Sequence, residues 1–290
     1  MHSSGHLDWL TVTFPLDFDE KVLEAYMGAF HNVGTGAHGY ARRATTSLGA
    51  ILQADGAPGM GKSLTLPGKT LESLRAILDT DRPVLDLLVS GKGRASRVDF
   101  ALNIHESTLT IADLWEQYIT GLVYTKARGN EAISTKDGGI HAFYIGSRKS
   151  DKFMRVYDKA LEQHLDGVAW LRLELECRRL VARTYVGAMA EQKLLRPFIN
   201  RAIGDFCSFS ASQVFREAIA DDKAELPQIQ RTIPAFWQWL ERQVIPAMVG
   251  RQLLKPEENV MREINRLFQA LLKKRRAQAQ SPDPLFDKRH

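Results

Sequence analysis

Cysteine is scarce in this chain, and its scarcity removes two architectures at once. Cys177 and Cys207, the only two among 290 residues, cannot supply a disulfide framework or a cysteine-built zinc site. Both are expected to be ordinary buried or half-buried thiols. Long hydrophobic runs are missing too: the longest, such as PVLDLLV at 83–89, fall well short of the roughly 20 residues a bilayer span needs. No signal-peptide core follows Met1, so a soluble cytoplasmic protein with no membrane partner is expected. Histidine occurs eight times but never as H-x-H or H-E-x-x-H, so a histidine-ligated metal is not indicated. There is no solenoid-period repeat and no low-complexity tract.

What is present is a chain long enough for one large core or two modest ones, with 44% hydrophobic residues and a net charge of +5. The charge is unevenly placed. From residue 181 onward there are 18 Lys and Arg against 12 Asp and Glu, while residues 1–180 hold 21 against 22. A basic C-terminal part suits nucleic acid, because Lys and Arg displace counterions from phosphates; a solvated helical face would look the same.

Up to about residue 180 the dominant pattern is apolar alternation, as in LDWLTVTF, SLGAILQ, SLTLPG, SRVDFALNI, GLVYTK, IHAFYIGS, FMRVYDK and AWLRLELEC. Helical spacing interrupts it at 69–78 and again after Thr108. The short, turn-rich GSRKSD and HLDG connections predict antiparallel pairing of the later strands. The expected fold is therefore α+β, a mainly antiparallel sheet with helices on one face. After Arg183 the pattern turns helical, through KLLRPFINRAI, SASQVFREAIA, PAFWQWLERQVIPAMV and a segment from Glu257 to Ala277. This places a catalytic domain at 1–182 and a helical module at 183–290, the latter for DNA binding or dimerisation. Pro246 is expected to kink or divide its helix.

GAPGMGKS at 56–63 matches the phosphate-binding pattern G-x-x-x-x-G-K-S and by motif alone suggests an ATPase. A working loop of that kind opens directly into a helix. Here Ser63 leads into LTLPGK, an alternating run closed by Pro67 and Gly68, so a turn between two strands is expected instead.

The chemistry concentrates in RVDFALNI at 97–104, FYIGSRKSDKFMRVYDK at 143–159 and WLRLELECRR at 170–179. Period two puts Val98, Phe100, Leu102 and Ile104 on one face and Arg97, Asp99, Ala101 and Asn103 on the other. It likewise separates Leu171, Leu173 and Leu175 from Arg172, Glu174, Glu176 and Arg178. Glu174 and Glu176 then stand about 7 Å apart along one strand, and Asp99 joins them if its strand is adjacent. Such hard oxygen donors suit Mg²⁺ or Mn²⁺ and the metal-assisted cutting of a phosphodiester. Each carboxylate taken singly is more readily a solvated sheet residue, and it is the recurrence of such polar faces on three strands that points to a site. Arg155, Tyr157 and Lys159 share a face, and flanking cations or a metal would favour the Tyr157 phenolate. Tyr157 is the preferred attacker over Tyr144, which lacks cations on its own face and suits packing or DNA contact. Ser147, Arg148, Lys149 and Lys152 lie in the turn between, where a basic loop could grip a nucleic-acid backbone.

These motifs resemble the Rep_trans family of replication initiation factors of rolling-circle plasmids and phages. That family shows an R-[IVL]-D strand, Y-[IF]-G-x-R-x-S, R-[IV]-Y-[DNE]-K and W-x-R-[IVL]-E-[IVL]-E in this order. The likeness extends more weakly to HLDWLTVTF, LPGKTLESLR and the helix around WQWLERQVIPAM. It implies that Tyr157 attacks a DNA phosphate at an origin to form a covalent 5′-phosphotyrosine, freeing a 3′-OH. It also implies that Asp99, Glu174 and Glu176 hold Mg²⁺ or Mn²⁺. Arg97, Tyr144, Arg148, Lys149, Arg155, Lys159, Arg172 and Arg178, on or beside these faces, are the candidate DNA contacts. Many relatives carry aspartate where Asn103 stands. The partners implied are origin DNA, a host helicase and a second copy in a homodimer. A conjugative relaxase with the same chemistry, or a non-catalytic origin-binding regulator, are the alternatives.

Overall fold

The computed structural model describes residues 2–105, 108–125, 127, 129–134, 139–209, 212–219 and 225–229, with 262, 266 and 269 as single positions. The chain divides into two units, 1–229 and 230–290. PAFWQWLERQVIPAMV with Pro246, and most of 257–277, lie outside the described residues. No described helix is long and apolar enough to cross a membrane.

The first unit opens with β1 (His2–Phe14) and α1 (Lys21–Met27), followed by β2 (His31–Gly34), β3 (Tyr40–Thr45), β4 (Ile51–Gly56) and β5 (Lys62–Leu66). Two helices, α2 (Gly68–Leu78) and α3 (Arg82–Ser90), lead to β6 (Arg94–His105) and α4 (Ile111–Ile119). A short β7 (Tyr124–Thr125) precedes β8 (Asn130–Ser134), β9 (Ile140–Ile145) and β10 (Lys152–Asp158). Then come α5 (Lys159–Glu162), β11 (Trp170–Arg178), α6 (Arg179–Ala190), α7 (Leu195–Phe206), β12 (Cys207–Ser208) and α8 (Gln213–Ile219).

Ten strands form one sheet in the order β2-β3-β4-β5-β1-β6-β11-β10-β9-β8, and β7 pairs with β12 apart from it. Every pairing among the described residues is antiparallel. The α+β expectation holds for the described residues.

The apolar sides of β6, β11 and β10 meet helices. Phe100 packs on Tyr185 of α6 and Phe198 of α7, with ring centroids 6.1 and 6.3 Å away. Phe143 packs likewise against Trp115 and Tyr118 of α4. The boundary expected at 182/183 thus falls within α6, a helix that covers the sheet, and the compact unit continues to Ile229. Cys177 and Cys207 are buried free thiols, as expected.

The GAPGMGKS segment is the turn between β4 and β5, with Ser63 inside a strand. Lys62 is spent structurally: its Nζ donates to Phe18 O at 2.7 Å and lies 3.2 Å from Glu20. Gly61 is required by packing, since a Cβ there would sit 1.9 Å from Phe14 O. The segment is thus a turn between strands, as expected, and its lysine is held by Phe18 and Glu20.

Candidate active site

Strand register lays out the polar face in rows. One row across β6, β11, β10 and β9 reads Asn103, Arg172, Tyr157, Ala142; the next reads Ala101, Glu174, Arg155, Tyr144. A third sets Asp99 beside Glu176 and Phe153. The three segments singled out by parity therefore converge on one patch, because β6, β11 and β10 are neighbours.

Asp99, Glu174 and Glu176 are buried, at 0%, 3% and 5% exposure, and guanidinium groups hold all three. Arg97 donates to both oxygens of Asp99 at 2.9 and 2.6 Å and also meets Glu176 at 3.0 Å. Arg178 closes on the other Glu176 oxygen. Arg155 pairs with Glu174 and lies 3.6 Å from Asp99. Carboxylates survive burial only with such partners, because an unpaired buried charge is strongly destabilising. Burial still pushes Glu174 up to about 7, with Arg155 opposing and Asp8 and Asp99 adding to the rise. Burial raises Asp99 too, against the pull of Arg97.

As a donor set these oxygens fit a hard divalent cation in kind. In the arrangement seen, arginines take the positions around them. No group of three or more His, Cys, Asp or Glu among the described residues stands arranged to hold a metal ion.

The Tyr157 hydroxyl donates to Glu174 Oε2 at 3.2 Å, with Arg172 directly opposite and the Lys159 ammonium 5.7 Å from its ring centre. The expectation that flanking cations favour its phenolate is corrected. Burial pushes the phenol's pKa up, Glu174 adds to the rise, and Arg172 offsets only part of it. A half-desolvated phenol beside a carboxylate holds its proton. Tyr144 does have a cationic companion, contrary to expectation, since Arg148 lies over its ring at 4.7 Å. Parity missed this because Arg148 comes from the turn.

The remaining predicted contacts are dispersed. Lys149 is exposed in the β9–β10 turn. Arg178 also donates to Arg148 O at 2.6 Å, and Lys159 pairs with Glu162. Lys152 leaves the site altogether, its Nζ reaching Tyr185 OH at 2.6 Å on the helix-covered face. Arg172 is only 7% exposed. Its Nε donates to Asn103 Oδ1 at 2.8 Å and its Nη1 to Asp8 Oδ1 at 3.0 Å, while Trp170 Nε1 shares that Asn103 oxygen at 2.9 Å. Asn103 is thus an anchor for Arg172.

Asp8, His6 and Trp9 were not foreseen. The β1–β6 register slips between Leu7 and Trp9, leaving Asp8 as an extra residue. Both Asp8 and Trp9 then face the polar side, while Leu7 and Leu10 stay in the core at 0% exposure. A bulge re-aims side chains in this way. The available signal was the three-residue spacing of Leu7 and Leu10, which breaks strict alternation. Burial would raise Asp8, but the His6 hydrogen bond and the Arg172 charge bring it down to about 2. Trp9, Asp8, Tyr157, Glu174, Lys69 and Trp170 all line one cavity of about 1050 Å³.

The arrangement offers a tyrosine with a carboxylate acceptor for its proton, beside fixed cations and open to a large ligand. Among solved structures, the chain is similar to a rolling circle replication initiator protein from Geobacillus stearothermophilus. The match has a TM-score of 0.65 and 18% identity and covers 79% of this chain and all of that one, so the two share a fold. No curated protein matches the chain by sequence. The model of the Rep_trans family, the replication initiation factors, matches residues 93–264, more than half of the chain and the stretch that holds the three converging strands, so the chain belongs to that family.

Proposed function

We propose that this chain initiates rolling-circle replication by site-specific nicking and rejoining of one DNA strand at an origin. The observation that carries the reading is the Tyr157 phenol, hydrogen-bonded at 3.2 Å to Glu174 in a cation-rimmed cavity, in a replication initiation factor. In the nicking step the Tyr157 oxygen forms the new bond to phosphorus, and the 3′-oxygen leaves with the electron pair of the broken bond. The phenol proton passes to Glu174 Oε2, which already accepts it. Arg172 supplies positive charge near the Tyr157 oxygen as its proton leaves, and the Lys159 ammonium stands 5.7 Å from the ring centre. The resulting 5′-phosphotyrosine conserves the bond energy for rejoining.

Asp99, Glu174 and Glu176 are the residues that would hold Mg²⁺ or Mn²⁺, in exchange for the guanidinium groups they now engage. A divalent ion there would supply charge that polarises a phosphate oxygen. Arg97, Tyr144 and Arg155 line the cavity; they, with Arg148, Lys149 and Arg178 outside its lining, are the proposed DNA contacts. Origin DNA, a host helicase and a second copy of the chain are the proposed partners.

Incubation with Mn²⁺ and a 3′-labelled single-stranded oligonucleotide from the origin of the encoding replicon tests this. Wild type is expected to carry the label through denaturing electrophoresis, and Tyr157→Phe to lose it. Label retained by Tyr157→Phe rejects this nucleophile.

A further inference from the structure

β5 pairs with β1 over Leu10–Phe14, and among the described residues no strand lies on that side of the earlier part of β1. There the helices supply the partners. Arg75 of α2 donates from Nη2 to Leu7 O at 2.9 Å, and Asp81, the N-cap of α3, faces Leu7 N at a long 3.5 Å. Arg75 and Asp81 are themselves joined by a two-pronged ion pair, Nε to Oδ1 at 3.1 Å and Nη2 to Oδ2 at 3.2 Å. Asp81 is 5% exposed. Leu7 is the residue immediately before the extra residue of the bulge. The start of α2 lies against the bulge as well: a Cβ at Gly68 would lie 3.0 Å from Asp8 O and 3.1 Å from Asp8 Oδ1.

We infer that the Arg75–Asp81 pair is a positioning device for the active site: it holds Leu7, and through the bulge it keeps Asp8 where it fixes Arg172 opposite Tyr157. The chain of contacts is continuous. Arg75 grips the Leu7 carbonyl, the next residue is Asp8, and Asp8 takes Arg172 Nη1 at 3.0 Å. Asn103 holds the other end of that guanidinium at 2.8 Å, so Arg172 is tied at two points and only one depends on the bulge. An unclamped bulge can shift register by one residue, which would turn Asp8 away and leave Arg172 tied by Asn103 alone.

The role assigned to Arg172 rests on the proposed nicking reaction; the clamp itself does not. The first measurement is therefore a crystal structure of Asp81→Asn and of Arg75→Met. Both are expected to lose the Asp8–Arg172 contact while keeping the sheet, and either retaining it overturns the inference. The second is the rate of adduct formation on the 3′-labelled oligonucleotide. Asp81→Asn, Arg75→Met and Asp8→Asn should each slow it about tenfold or more. Asp81→Asn/Asp8→Asn should be no slower than Asp8→Asn alone, because both act through one contact, and Arg75→Lys, which can still donate to Leu7 O, should recover most of the rate. Multiplying effects in the double variant would show a merely structural role and reject the device. Absence of any Tyr157-dependent adduct in wild type would reject the nicking reaction, with the crystal structures still deciding the clamp.

Discussion

Glu174 carries a proton linkage that needs no substrate to measure. Its folded-state pKa of about 7 lies above its ordinary 4.5, so the folded protein binds that proton more tightly than the unfolded chain does. As pH rises from about 4.5 to about 7 the unfolded chain releases the proton first, and stability must fall across that window before levelling off. Asp8 has the opposite sign: lowered to about 2, its contribution is complete above its ordinary 3.8 and is lost as pH falls towards 2. In metal-free buffer, the urea-unfolding free energy of wild type is expected to decline between about pH 4.5 and 7. Glu174→Gln should flatten that slope, with Asp99, which is also raised, still contributing in the same direction. An unchanged slope would show that the proton resides elsewhere. Parity alone located Asp99, Glu174, Glu176 and Tyr157 on one face, because those strands alternate strictly. It missed Asp8 because one inserted residue defeats parity, and it misjudged the phenol because burial is a tertiary quantity.

Among the elements, those with clear periodicity were legible, though the cap that starts one of them was not. Thr110 and Asp113 form a reciprocal capping box, Thr110 Oγ1 accepting from Asp113 N at 3.2 Å and Asp113 Oδ2 accepting from Thr110 N at 2.7 Å. The box starts the helix whose Trp115 and Tyr118 pack on Phe143. Thr110→Ala is expected to lower the unfolding free energy by about 1 kcal/mol, read by chemical denaturation, with its midpoint shifted and its slope unchanged. β2 and β3 were not foreseen. HNVG is exposed throughout and YARRAT buries only Ala44, so neither shows apolar alternation; they are strands because β4 offers an edge to extend. The turn at 56–61 was read correctly against a phosphate-loop motif because Pro67 and Gly68 leave no room for a helix directly after Ser63.

At the scale of the whole molecule, the expected domain boundary can be set against the observed unit. A chain ended at Ile229 is expected to unfold cooperatively with a midpoint close to that of the full chain. One ended at Ala182 should fail to fold, because it loses α7, most of α6 and the ring contacts of Tyr185 and Phe198 with Phe100. Circular dichroism melts of the two decide it, and a folded 1–182 chain would support the boundary expected from the sequence. The sequence by itself determined the α+β class, the antiparallel later strands, the rejection of the phosphate loop and the identities of the clustered carboxylates and tyrosine. These follow from period, spacing and turn chemistry, which are local. Only the tertiary structure decided that β6, β11 and β10 lie side by side, that arginines close over the buried carboxylates, and that a clamped bulge brings Asp8 to Arg172. Those depend on strand order and desolvation, which arise when residues distant in the chain share one surface away from water.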